Sequence, residues 1–169
     1  MAPAKVSHLP PETSRASRTP ERRSLENSEQ EFLTRYAEFA ASGTLYPQIE
    51  GSPLMEFSSA GRVLFLFDRT GPYRAHPGPA QVLVHGVVNA DGWTLVAPGE
   101  ARDEAFTMLG ASEAEGVGEV IHVSRRSCVV RARLPVVLST FDSLPAAQVG
   151  DWVRFRTLPP LHGFLVEGR

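Results

Sequence analysis

A chain of 169 residues with 42% hydrophobic and 21% charged side chains has enough apolar material for one core of ordinary size and needs no metal or disulfide staple. Its single cysteine, Cys128, excludes an internal disulfide framework. A net charge of -2 excludes the domain-wide basic balance of a dedicated nucleic-acid binder.

The charge is unevenly spread. Residues 1–23 carry +3, residues 24–116 carry -8 and residues 117–169 carry +3, so the ends are basic and the middle is acidic. Sixteen of the 17 basic residues are Arg, so the placement of an Arg is more informative than its presence. No run of about 18 apolar residues marks a helical membrane span. The start MAPAKVSHLPPETSR has no apolar signal-peptide region, so a cytoplasmic chain with no membrane partner is expected.

Residues 1–23 are rich in Pro, Ser, Thr, Arg and Glu with almost no large apolar side chains, which predicts a disordered basic tail. Residues 24–43 predict an amphipathic helix. Ser28 and Glu31 form a capping-box pattern, Phe32, Leu33, Tyr36, Phe39 and Ala40 share one face, and Gly43 is the stop. Such a stripe packs on the main domain or receives another protein. Residues 44–60, broken by Pro47, Gly51 and Pro53, read as an irregular connection to a β domain over 61–169.

Within that domain RVLFLFDR is apolar on both alternating faces, which suits a strand covered on both sides. Residues 81–89 and 93–97 flank NADG and read as a hairpin. Residues 100–109 read as a short internal helix, with Ala101, Ala105, Met108 and Leu109 on one side, and ASEAEGVG after it reads as a surface loop. Residues 119–124 and 127–134 form a second hairpin around Arg125 and Arg126, and residues 136–140 continue extended beyond Pro135. Residues 151–157 and 163–167, joined by LPPLHG, complete six or seven strands. The segments VLVHGVVNADGWTLVAP and EVIHVSRRSCVVRARLP share this hairpin grammar, without further sign of a repeat. The expected fold is mainly β, a small antiparallel β-barrel with an N-terminal amphipathic helix and one short internal helix.

On SCVVRARL the alternation turns Cys128, Val130, Ala132 and Leu134 inward and Val129, Arg131 and Arg133 outward. On DWVRFRT it turns Val153 and Phe155 inward and Trp152, Arg154 and Arg156 outward. If the two strands are neighbours, four guanidiniums and an indole share one surface with Arg125 and Arg126 at its rim. Single-stranded DNA or RNA is bound by such faces, Arg following the phosphates and the ring stacking a base. The same residues also suit a solvated face, with Trp152 under the helix and the arginines facing Glu29, Glu31 or Glu38.

The phrase VGDWVRFRTLPPLHGFLV resembles the closing strands of OB-fold and related cold-shock or S1-type barrels, where a Gly-Asp turn leads into an alternating strand. The resemblance covers at most residues 118–167. It implies an OB-like barrel with a basic and aromatic face for single-stranded nucleic acid. The aromatic-rich strand of the cold-shock members is missing between residues 119 and 134.

No catalytic constellation is legible. His8, His76, His85, His122 and His162 form no metal-binding spacing, and only His162, beside Gly163 after two prolines, has a loop context. Cys128 is expected in the core, and GVGEV has neither the lysine of a phosphate loop nor the spacing of a dinucleotide fingerprint. The expectation is a non-catalytic nucleic-acid-binding module without metal or cofactor. The alternative is a protein-interaction or adaptor subunit that meets another protein through the helix or through Trp152.

Overall fold

Two long strands organise the chain. The computed structural model describes residues 20–70, 75–141 and 146–167, with the side chains of the first helix from Ser28 onward. Helix α1, Pro20–Tyr36, and a 3-10 turn, Ala37–Phe39, precede nine strands of one sheet: β1 Ala41–Leu45, β2 Leu54–Ser59, β3 Arg62–Asp68, β4 Gly78–Leu95, β5 Ala105–Leu109, β6 Glu113–Val123, β7 Ser127–Ala132, β8 Leu134–Ser139 and β9 Trp152–Val166. The protein is mainly β, as its alternating sequence leads one to expect.

β4 and β9 pair antiparallel from Gln81↔Val166 to Leu95↔Val153. The other edge of β4 pairs first with β1, at Leu45↔Gly78 to Ala41↔Val82, and then in parallel with β8, at His85↔Val137. The other edge of β9 pairs first with β6, at Glu119↔Trp152 to Glu115↔Arg156, and then in parallel with β3, at Phe67↔His162. β2 joins β1 to β3, and β7 joins β6 to β8. Hydrogen bonding therefore closes two circuits, β1–β2–β3–β9–β4 and β4–β8–β7–β6–β9, which follow one another along the shared pair. Closure leaves few unpaired strand edges of the kind that recruit other chains.

The inward side chains of both circuits form one continuous core, from Leu45, Met55, Phe57, Leu64 and Leu66 to Val120, Val130, Leu138, Val153 and Phe155. Ser112, on the β5–β6 turn, ties the circuits together. Its hydroxyl donates to the Phe65 carbonyl at 2.7 Å and accepts from the Leu161 N–H at 3.0 Å. A smaller apolar cluster lies outside the sheet, where Tyr36, with Phe32 and Leu33, covers Leu83, Val129, Val137 and Phe164. This is the packing expected of an amphipathic helix on the main domain.

Several local expectations are corrected. The helix expected over 24–43 begins at Pro20 and ends at Tyr36. Gly43 is not its stop but a β1 residue, at which a Cβ would come within 2.0 Å of the Ser58 carbonyl oxygen. The connection expected over 44–60 contains the end of β1 and all of β2. NADG is not a hairpin turn: β4 runs through it as one strand, and the extra residues bulge where the register with β9 shifts between Val88 and Trp93. Both halves of β4 found a common partner in β9, and that pairing outweighs the local turn preference.

The internal helix expected at 100–109 is absent, for Ala105–Leu109 is β5, with Phe106 buried and paired opposite Gly116. The acidic loop expected after it is the first half of β6. The hairpin around Arg125 and Arg126 is present, with Val123 opposite Cys128. The strand expected to reach residue 134 stops at Ala132, since the chain reverses at Arg133 with φ 68° and pairs Ala132 with Leu134. The two last expected strands are one, continuous through a cis bond between Pro159 and Pro160. The β3–β9 and β4–β8 pairings are parallel, so the sheet is mixed. The tail expected at 1–23 lies outside the described residues up to 19, and residues 20–23 belong to α1.

Candidate functional site

The sheet brings β7, β6 and β9 side by side, and register does the rest. Arg131 lies opposite Glu119, which lies opposite Trp152, so guanidinium, carboxylate and indole form one row across three strands. Arg154 and Arg156 follow Trp152 on the same face of β9, opposite Val117 and Glu115. Four of the seven site residues expected from sequence, Arg131, Trp152, Arg154 and Arg156, thus share one face.

The face is not a free cationic surface. Arg131 donates to Glu104 at 3.1 Å and to Glu119 at 2.8 Å, Arg154 donates to Glu100 at 2.8 Å, and Arg156 donates to Glu113 at 2.7 Å. The hydrogen bond and charge of Glu113 raise the Arg156 guanidinium further above its ordinary value. Trp152 is half-buried. The glutamates come from β6 and the segment before β5, not from the helix residues Glu29, Glu31 and Glu38 that sequence had suggested. Arg133 is exposed at the chain reversal rather than on the strand face. Arg125 and Arg126 are exposed at the opposite end of β7, about 17 Å away along the strand at the usual rise, so they are not the rim of this face.

A second face was not anticipated. On β1–β2–β3 the outward positions form cross-strand rows: Ser58 opposite Val63, Glu56 opposite Phe65, and Leu54 opposite Phe67. Tyr46 continues the middle row, its N–H bonded to the Glu56 carbonyl. Tyr46 is 42% exposed, Val63 44% and Phe65 38%. The signal was present in RVLFLFDR, but its second apolar face was expected to be covered, and it is open. Ile49, on the β1–β2 connection, is 76% exposed.

A third cluster lies beneath α1. His85 on β4 and His162 on β9 are cross-strand partners with ring centroids 5.7 Å apart. They line a cleft of about 170 Å³ with Glu29, Phe32, Arg69 and Phe164. His85 Nε2 lies 2.9 Å from the Ser139 hydroxyl, Arg69 donates to Glu29, and His162 Nδ1 is buried without a hydrogen-bond partner. Burial, then the neighbouring His162 and Arg69, lower the His85 imidazole from 6.5 to about 3. His162 is also lowered, by burial and Arg69 against the opposing charge of Glu29. His162 is therefore a strand residue in a partly closed cleft, not a loop residue.

Cys128 is buried in the core, and burial raises its thiol from 9.0 to about 12. Among the described residues no three His, Cys, Asp or Glu side chains converge as a metal-ligand group. No helix of the described residues is long and apolar enough to cross a membrane. No family model matches the chain, and neither the curated proteins nor the solved structures contain a match.

Proposed function

We propose that this protein is a non-catalytic binding module, built as two small β-barrels stacked along β4 and β9, that docks another protein through the outer face of β1–β2–β3. The reading is supported by the first circuit having five strands, the number of an OB-type barrel, in which the strand 2–3 surface is the habitual ligand face. The observation that carries the reading is the row Tyr46, Glu56 and Phe65 with Val63 beside it: open aromatic and aliphatic surface on three adjacent strands, interrupted by a single carboxylate. Contiguous exposed apolar surface of this kind, rich in aromatic residues, characterises the centre of protein interfaces.

The test is affinity purification from cells that make the protein, with three baits. A stoichiometric partner kept by the wild type and by Arg154→Ala, but lost by Phe65→Glu, supports the reading. The same co-purifying set with all three baits overturns it.

A second reading, single-stranded DNA or RNA binding, is favoured by the convergence of Arg131, Trp152, Arg154 and Arg156 on one face. It requires the arginines to exchange glutamate for phosphate. Titration of labelled single strands at low and high salt tests it: three phosphate contacts give a log–log salt slope of about -2 to -3. Absent or salt-insensitive binding discards it.

A further inference from the structure

We propose that α1 is an acid-released strap: His85 and His162, packed together beneath it, hold it down as neutral imidazoles and push it off the sheet when protonated. The inference rests on the cleft and not on the docking surface proposed above.

Among its described residues the helix is attached through side chains: three apolar ones, the Glu29–Arg69 pair and the Tyr36 hydroxyl, which donates to Ser124 and meets Ser127. No strand pairs with it, so it can leave without breaking a sheet hydrogen bond. Its described apolar contacts come from Phe32, Leu33 and Tyr36, and most helical stability in proteins comes from such packing. Phe32 is the side chain directly over the histidines, 4.8 Å from the His85 ring and 5.2 Å from Phe164.

The charges around the cleft decide the direction. α1 contributes Glu29, the residue after β3 contributes Arg69, β4 contributes His85, β9 contributes His162 and β8 contributes the neutral Ser139 hydroxyl. Glu29 is paired with Arg69, and its charge opposes that of Arg69 at His162 without cancelling the lowering. A first imidazolium would face Arg69 and the second histidine, with the paired Glu29 as the opposing charge, in a site walled by Phe32 and Phe164. Leaving the cleft restores it to water.

The sign follows from the two states. Release removes the burial that lowers both imidazoles and moves them back toward the ordinary 6.5, while docked His85 is lowered to about 3 and docked His162 is also lowered. Docking is therefore at full strength above 6.5 and weakens as pH falls toward the docked values. The weakening is about tenfold per pH unit for each imidazole that docking keeps neutral. Release uncovers Leu83, Val137 and Phe164, an apolar surface that is closed at neutral pH.

Hydrogen exchange of the full chain, corrected for intrinsic rates, reads the strap directly. Between about pH 7 and about pH 4.5, peptides covering α1 should lose at least tenfold in protection while β7 and β8 peptides keep theirs. The double variant His85→Gln, His162→Gln should show no such pH dependence. Should that variant not fold, proton NMR of the wild type serves: the Phe32 and Leu33 resonances must shift together with the two imidazoles. Unchanged α1 protection on acidification, simultaneous loss in β7 and β8, equal loss in the double variant, or Phe32 resonances indifferent to the imidazole titration would each overturn the proposal.

Discussion

Cys128 and Ser112 show how much a single buried side chain decides here. The Cys128 thiol, raised to about 12, has almost no thiolate at neutral pH. Native protein at about pH 8 should therefore resist iodoacetamide, whereas protein in concentrated urea should be alkylated completely, as intact mass will record. Ser112 serves two strands at once, and Ser112→Ala leaves the Phe65 carbonyl without its hydroxyl donor in a buried site. The variant should lose about 1–3 kcal/mol in urea denaturation. Gly118 acts by the absence of a side chain. A Cβ there would stand 2.2 Å from the Arg131 carbonyl oxygen, backbone that cannot move without opening the β6–β7 pairing. Sequence showed the inward placement of Cys128, because strand alternation is local. It did not show the task of Ser112, whose partners lie on distant strands, or that of Gly118, which falls in a segment that reads as a surface loop.

Among the elements, α1 and β4 carry the instructive differences. The helical stripe of Phe32, Leu33 and Tyr36 was legible from its spacing, and the structure uses all three against the sheet. What they cover was not legible. Tyr36 reaches between β6 and β7, where its hydroxyl meets Ser127 and donates to Ser124 at 3.0 Å. Tyr36→Phe leaves these hydroxyls short of a partner and should lower stability by about 1–2 kcal/mol, measured by thermal or urea unfolding. In β4 the sequence NADG has every local mark of a turn, and in β5 the residues AFTML satisfy helical and strand periodicities equally. Both cases were decided by an available neighbour: β9 for β4, β6 for β5. The hairpin around Arg125 and Arg126 is legible in the sequence because its two strands pair with each other, so its signal lies within one short segment.

For the molecule as a whole, the arginine face is defined by the carboxylates that meet it. Its guanidiniums converge as the alternation of two separate strands suggested, yet each of Arg131, Arg154 and Arg156 is matched by carboxylates from β6 or the segment before β5. If this face binds single-stranded nucleic acid, Glu113→Gln together with Glu119→Gln should tighten binding and steepen its salt dependence, since the arginines are then free for phosphate. If the face is only a solvated surface, the double variant should bind no better than the wild type in the same fluorescence-anisotropy titration. The open apolar rows on β1–β2–β3 make the complementary expectation, that charge introduced at Phe65 abolishes association while leaving the fold intact.

By itself the sequence determined which side chains of β7 and of the first half of β9 face inward, the presence and stripe of the helix, and the mainly β character. These are local properties, repeating every second or every third to fourth residue, and need no knowledge of neighbours. Only the tertiary structure decided that β4 and β9 each run unbroken, that they close two circuits, that the second face of β3 stays open and that His85 meets His162. It also decided which carboxylates the arginines meet. Each of these depends on which distant segment supplies the adjoining hydrogen-bonding edge, and that choice is made by closure of the whole sheet around one core.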